Sequence, residues 1–228
     1  MNLLVPTRRF DPEVLEMMDR PGQNMSLLRD DLTVLERINR HLGGHAIPLR
    51  YLKRFQPCTI LDLATGGADV PRAIASRFDV RITAVDSNPQ ILQIARERST
   101  GYPSIHFEQH NLLALPYPPA SFDVVLCSLA LHHFAEPDAI AILRRIHDIA
   151  RVGYVVNDLR RNQVAIWLSN LLAHAIITNP IARFDAPASC ERAFTVAELR
   201  AMANRAGLTQ FQLHRHLGLR MALVGWKT

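Results

Sequence analysis

The residues best placed to do chemistry in this 228-residue chain begin with the run Ile60-Leu61-Asp62-Leu63-Ala64-Thr65-Gly66-Gly67-Ala68-Asp69. Branched apolar residues give way there to small ones. That is the pattern of a strand that stops and feeds a helix, where a ligand approaches backbone that bulkier side chains would shield. A further acid, Asp86, stands 24 positions after Asp62 in Ala84-Val85-Asp86-Ser87. At the end of a following strand such an acid accepts both hydroxyl protons of a ribose, so the pair points to a nucleoside-bearing ligand. Charge narrows the choice. A dinucleotide brings a pyrophosphate to the helix N-terminus, and its fingerprint wants glycine at positions 64, 66 and 69. Here those positions hold Ala64, Gly66 and Asp69. Asp69 also suits a helix entrance as a plain cap, but a carboxylate there repels phosphate. A ligand carrying an ammonium and a sulfonium in place of phosphates is compatible with both Asp62 and Asp69.

A second group lies downstream in Cys127-Ser128-Leu129-Ala130-Leu131-His132-His133-Phe134, followed at a distance by Asn157-Asp158. Imidazole titrates near neutrality, so either His133 or His132 is a candidate general base for a phenol or enol proton, with Asp158 a weaker base or an orienting group. The bland alternative is that one histidine packs beneath the ligand or bonds a loop. Cys127 reads as core.

These residues need elements to position them. Apolar runs at Cys58 to Leu63, Val80 to Val85, Ile105 to Gln109, Phe122 to Ser128 and Gly153 to Asp158 read as strands. They alternate with helical patterns at Val70 to Phe78, Pro89 to Arg98 and Asp138 to Ile149, while the proline-broken Gln109 to Phe122 connection reads as loop. Such alternation predicts a parallel sheet covered on both faces, with ligands at the carboxyl ends of its strands. Leu208 to Leu213 and Met221 to Trp226, joined through Gly218, have no room for a helix between them, so they pair as a hairpin and the last strand is reversed. Thr195-Val196-Ala197-Glu198 is a capping box, opening a helix that Gly207 closes. Before residue 57 the pattern is helical only. Asp11-Pro12-Glu13 starts a short helix ended by Pro21-Gly22, Leu28, Leu32, Leu35, Ile38 and Leu42 mark an amphipathic helix stopped by Gly43-Gly44, and Tyr51, Leu52 and Phe55 a third. The expected architecture is an α/β, doubly wound, mostly parallel seven-stranded sheet with an antiparallel last strand. A helical cap at 1–56 precedes a ligand-binding domain at 57–228, into which a lid is inserted at about 162–194.

Composition excludes several classes. Hydrophobic residues make up 48% and charged residues 21%, which rules out disorder and fibrous repeats. The three cysteines, Cys58, Cys127 and Cys190, are too dispersed for a disulfide framework or a metal cage, and no metal is expected. Net charge is +5, but 24 of the 26 basic residues are Arg spread from Arg8 to Arg220, which fits a solvated surface better than a nucleic-acid face. No long apolar core precedes Arg8-Arg9, and Val164 to Thr178 is interrupted by Ser169, Asn170 and His174, so the expectation is a cytoplasmic protein without a membrane span, monomeric or homodimeric.

On these motifs the chain resembles the class I S-adenosylmethionine-dependent methyltransferases, in particular the small-molecule branch that includes the quinone-biosynthesis C-methyltransferases. Ile60 to Asp69 looks like the family's first motif, with alanine at positions 64 and 68 where glycine is usual. Asp86 falls at the ribose-binding acid. His110-Asn111-Leu112 is similar to the adenine-contacting segment, with Asn111 where aspartate is common, and Leu115 to Val125 to the segment leading into the fourth strand. The resemblance implies a Rossmann-like fold with S-adenosylmethionine as cofactor and S-adenosylhomocysteine as product. It implies that Asp62, Ala64, Thr65, Gly66, Asp69, Asp86, Ser87, Asn111, Leu112 and Ser128 bind that cofactor.

The methyl acceptor must be held by the remaining zones. Trp167, Leu171, Leu172, His174, Ile176, Ile177 and Phe184 are candidates for an apolar lid, which implies a small hydrophobic or phenolic acceptor methylated at oxygen or carbon. Three other readings stay open. They are an RNA methyltransferase, a protein that binds S-adenosylmethionine or S-adenosylhomocysteine without turnover, and a dehydrogenase, the last disfavoured by Ala64 and Asp69.

Overall fold

The computed structural model describes residues 5–20, 22–216 and 219–227. Seven strands form one sheet in the order β3-β2-β1-β4-β5-β7-β6, with β1 (Thr59–Leu63), β2 (Arg81–Asp86), β3 (Ile105–Gln109), β4 (Phe122–Ser128) and β5 (Ala150–Leu159) parallel. β7 (Arg220–Trp226) runs antiparallel between β5 and β6 (Phe211–His216), as the shortness of their connection predicts. Gly218, where the sequence places that turn, lies outside the described residues.

Both sheet faces are apolar, because neighbouring residues of a strand point to opposite sides. Leu61, Leu63, Val125 and Cys127 pack with α5 (Glu136–Ile149) and α8 (Val196–Arg205). Ile60, Val124 and Leu126 pack on the other side with α2 (Ala46–Phe55) and α3 (Asp69–Ala75). α1 (Met25–His41) rests Leu28 and Leu32 on Ile91 and Ile94 of α4 (Pro89–Arg98). The helices before residue 57 therefore differ in role. α2 belongs to a sheet layer, whereas α1 stands over the strand ends.

The strand ends are pinned at their far side by Asp123, whose carboxylate accepts from the backbone N–H of Cys58 (2.8 Å) and Thr59 (2.9 Å) and from Arg151 Nε (2.9 Å). Burial opposes that charge, yet Arg151 and the two amides hold the carboxyl below the usual range. Removing it leaves buried donors unmatched, so Asp123→Ala is expected to lower stability by about 2 kcal/mol in urea denaturation.

Two segments differ from the sequence expectation. No α-helix opens at Asp11. Residue 11 instead makes a turn, its carboxylate accepting from Glu13 N (2.9 Å), and only Met17–Asp19 closes a 3-10 turn. The physical reason is a distant acceptor. The N–H groups of Met17 and Met18 donate to the Asp185 carboxylate at 2.7 and 3.0 Å, which draws the segment across the molecule as a strap. Pro21, the expected stop, lies outside the described residues. Conversely, Asn179 to Phe194 contains a full helix, α7 (Pro180–Arg192), despite Pro187. Its start carries a strong signal, since Asn179 caps Ile181 N and Ala182 N and Pro180 sits in the first turn. The charge-free α6 (Gln163–Ala175) precedes it, and Thr195 and Glu198 form the expected capping box of α8.

Candidate active site

Parallel β1 and β4 are neighbours whose connections leave in opposite directions, and this switch point opens a crevice at their carboxyl ends. A cavity of about 490 Å³ fills it, within the range of small-molecule clefts. Its floor is the loop from β1 to α3. Three residues of that loop take left-handed backbone, Ala64 (φ 53°), Gly66 (φ 55°) and Ala68 (φ 57°), a conformation costing each alanine roughly 1–2 kcal/mol. The strained turn survives because it is tied down. Thr65 N donates to Val85 O (2.9 Å), and Gly66 N donates to one Asp86 carboxylate oxygen (3.0 Å) while Asn88 N donates to the other (3.0 Å).

Asp86 thus fixes the loop and still borders the cavity. Burial raises its carboxyl above the ordinary range against those two amide bonds. Asp62, 2% exposed, has a cavity-facing position and a carboxylate oxygen with no partner. Burial, with Asp69 and Asp86 adding, pushes it up to about 7. Asp69 is different. Burial opposes its charge, but His45 Nε2 (2.8 Å) and Asn39 Nδ2 (3.0 Å) hold it below the usual carboxylate range, and Asn39 in turn accepts from the buried Arg220 (2.9 Å).

Ala64, Thr65, Gly66, Ser87, Leu112 and Ser128 also line the cavity. Asn111 does not. Its side-chain oxygen caps the following turn by accepting from Leu113 N (2.9 Å), so of that segment only Leu112 faces the site.

The two histidines have separate partners. His132, 2% exposed, places Nδ1 2.6 Å from Asp158, whose other oxygen accepts from His132 N (3.1 Å). Asp158 lies behind the histidine and off the cavity wall, and His132 charge and hydrogen bonding hold its carboxyl low despite burial. His133 Nδ1 lies 2.8 Å from Asp19 of the strap, and Glu16 is 4.0 Å from its other nitrogen. Burial works against the His133 charge, but Asp19 and Glu16 raise it to about 9. Asp19 and Glu16 thus favour the protonated form of His133, in which the ring has no free lone pair with which to accept a proton.

Glu16, His132 and His133 bring one ligand-type atom each within 4.8 Å of the others, a grouping of metal-ligating types that the sequence reading did not foresee. The imidazolium form of His133 offers no lone pair to an ion.

The pair of His133 with Asp19 has a definite pH signature. His133 is raised above its ordinary 6.5, so its contribution is complete below that pH and is lost as pH rises through about 9. Asp19 is held low, burial opposing, by the His133 hydrogen bond, so its part is lost as pH falls through its depressed value. Amide exchange in the strap should accelerate above pH 9, and Asp19→Asn should bring the His133 NMR titration midpoint down toward 6.5.

The strap, α1, α6 and α7 wall the rest of the cavity. Leu168, Leu172 and Ile177 supply apolar surface, whereas Trp167, Leu171, His174, Ile176 and Phe184, expected in the lid lining, are exposed on its outer side. Sequence reasoning missed five ionisable groups here: Glu16, Asp19, Asp31, Asp185 and Arg220. Asp31 is 1% exposed with both oxygens unpartnered, and burial with Asp185 and Glu16 nearby pushes it up to about 7. One signal was available, because a lone acid among Leu28, Leu32 and Leu35 sits on the buried side of its helix.

A reversed strand inserted between β5 and β6 separates this sheet from those of the dinucleotide dehydrogenases, and the strand order is similar to that of the class I S-adenosylmethionine-dependent methyltransferase fold. Residues 60–153 match the family model described as a methyltransferase domain. Over 82 residues the chain is 40% identical to the demethylmenaquinone methyltransferase of Deinococcus radiodurans, covering 35% of this chain and 34% of that one. Over 122 residues it is 30% identical to the 27-O-demethylrifamycin SV methyltransferase of Amycolatopsis mediterranei, covering 51% and 41%. Its fold matches human N-acetylserotonin methyltransferase, solved in complex with S-adenosylmethionine, with a TM-score of 0.67 at 15% identity over 90% of this chain and 56% of that one. The chain spans about a third to two fifths of the length of these two curated relatives.

Proposed function

We propose that the protein transfers a methyl group from S-adenosylmethionine to an oxygen or carbon of a small hydrophobic or phenolic acceptor, releasing S-adenosylhomocysteine, in the cytoplasmic compartment. The observation that carries this reading is the continuity of one cavity, acid-lined at the β1 and β2 ends and, between α1, α6 and α7, lined by Leu35, Leu168, Leu172 and Ile177 beside the acids Asp31 and Asp185. The residues present suit the cofactor. Asp86 is placed to accept from the ribose hydroxyls, Asp62 has a buried oxygen awaiting a donor such as an ammonium, and the site shows an excess of acids where a phosphate ligand would need donors. Leu112 is placed for the adenine, with Ala64, Thr65, Gly66, Asp69, Ser87 and Ser128 completing that end. When bound, S-adenosylmethionine supplies a methyl group activated by its sulfonium.

The protein's own work is then to position and to exclude water. Leu168, Leu172 and Ile177 hold an apolar acceptor. The strap closes over it, anchored by Glu16 on Ser189 (2.9 Å), by Asp185 on two amides, and by Arg8 on Phe134 O (2.8 Å). His132 takes the acceptor's proton. Asp158 fixes Nδ1–H toward itself, which leaves Nε2 as the proton-accepting atom, and then stabilises the imidazolium that forms. Asp31, without a protein partner, accepts from a hydroxyl of the acceptor. The names of the curated relatives, a quinone-type and a rifamycin-type methyltransferase, support an apolar ring system as acceptor.

Parallel calorimetric titrations with S-adenosylmethionine, S-adenosylhomocysteine and NAD test the cofactor. Binding of the first two alone is expected, and NAD binding in their place would end the reading. A panel of phenols and quinols scored by S-adenosylhomocysteine formation tests the acceptor class, and activity confined to RNA, steeply salt-dependent, would replace it.

A further inference from the structure

From Asn162 to Ala182 the chain has no Asp, Glu, Lys or Arg, and this stretch contains all of α6. One side of α6 faces the cavity through Leu168 and Leu172. An adjoining, outward-turned face is also apolar. Val164, Trp167 and Leu171 recur at three- and four-residue steps, hence on one face, and Trp167 is 62% exposed and Leu171 46%. Ile176, 71% exposed, and Phe184, at the start of α7, continue the surface. A contiguous apolar face that includes an exposed tryptophan marks a contact surface, yet this one meets water.

Two arginines border the face. Exposed Arg183 ends the charge-free stretch, and exposed Arg20 lies over the Phe184 ring at 5.6 Å. The acids of α7 do not oppose them, because Asp185 is buried and Glu191, at the far end, is paired with Arg9 at 3.4 Å. Among the described residues no helix is long and apolar enough to cross a membrane. An amphipathic tryptophan beside aliphatic side chains, rimmed by arginines whose stems lie along apolar surface while their heads stay in water, suits an interface plane instead.

We propose that the outer face of α6 with the start of α7 docks on the surface of a lipid bilayer carrying anionic headgroups. Docking would set the wall of the acceptor cavity against the bilayer, so that an apolar acceptor passes from lipid to site across the thickness of one helix. It does not depend on the methyl-transfer reading.

The test is cosedimentation of the full chain with phosphatidylcholine vesicles and with vesicles that also contain phosphatidylglycerol. The expected result is a bound fraction several-fold larger on the anionic vesicles, falling as salt is added. The double variant Trp167→Ser, Leu171→Ser should reduce that fraction by on the order of tenfold. In a Trp226→Phe background, Trp167 emission should shift to the blue on vesicle addition. Far-ultraviolet circular dichroism and thermal unfolding of the double variant report its fold, and S-adenosylmethionine titration of the unaltered chain reports the cofactor reading, so loss of docking and failure of that reading are told apart. Absence of vesicle binding by the unaltered chain, or binding that the double variant retains, overturns the proposal. So does a dimer in analytical ultracentrifugation that the double variant dissolves while vesicles bind neither form, which would give the face to a second copy.

Discussion

Asp86→Ala is expected to raise the dissociation constant for S-adenosylmethionine at least about tenfold, a loss of about 1.4 kcal/mol or more, in calorimetric titration. Two effects add. The sugar loses a charge-assisted acceptor, and Gly66 N and Asn88 N lose the carboxylate that holds the left-handed loop in place. Asp86→Asn separates them, because its amide oxygen still accepts from one backbone N–H while its amino group faces a partner that needs an acceptor. An intermediate loss is the expected outcome for Asn. Unchanged affinity in both variants would remove Asp86 from the site.

His132→Ala should cut turnover by about 100- to 10,000-fold on an acceptor that must lose a proton, with S-adenosylmethionine affinity nearly intact. Asp158→Asn should act in the same direction, since an amide no longer fixes the ring with Nε2 as its proton acceptor. His133→Ala is expected to spare the chemical step and raise the acceptor KM, because its partner Asp19 belongs to the strap. If His133→Ala abolished turnover while His132→Ala did not, the base would be His133 after all. If neither variant slowed the reaction, positioning alone would account for the rate.

The central strands β4, β5 and β7 were legible because they are buried on both faces and read as mostly apolar runs, whereas the edge strands β3 and β6 are half-exposed and mix apolar with polar residues. α4 was legible to the residue, with Asn88 capping and Pro89 opening it. Asp62 and Asp86 were legible because strand ends and small-residue turns leave local marks. The strap was not. Its conformation is set by Asp185, 168 residues from Met17, and no periodicity along the chain records a bond of that reach. For the same reason the pairing that assigns His132 and His133 different roles was invisible, although both residues were named. Trp167 was misjudged in direction only, since an apolar residue on an apolar helix does not announce which side faces the cavity.

The inserted strand has a consequence for how the molecule matures. β7 delivers Arg220 to Asn39, and Asn39 steadies Asp69 at the entrance of α3. The cation at the end of this relay thus comes from the strand that is last in the chain and lies between β5 and β6. A refolding experiment is expected to register sheet formation before it registers binding of S-adenosylmethionine.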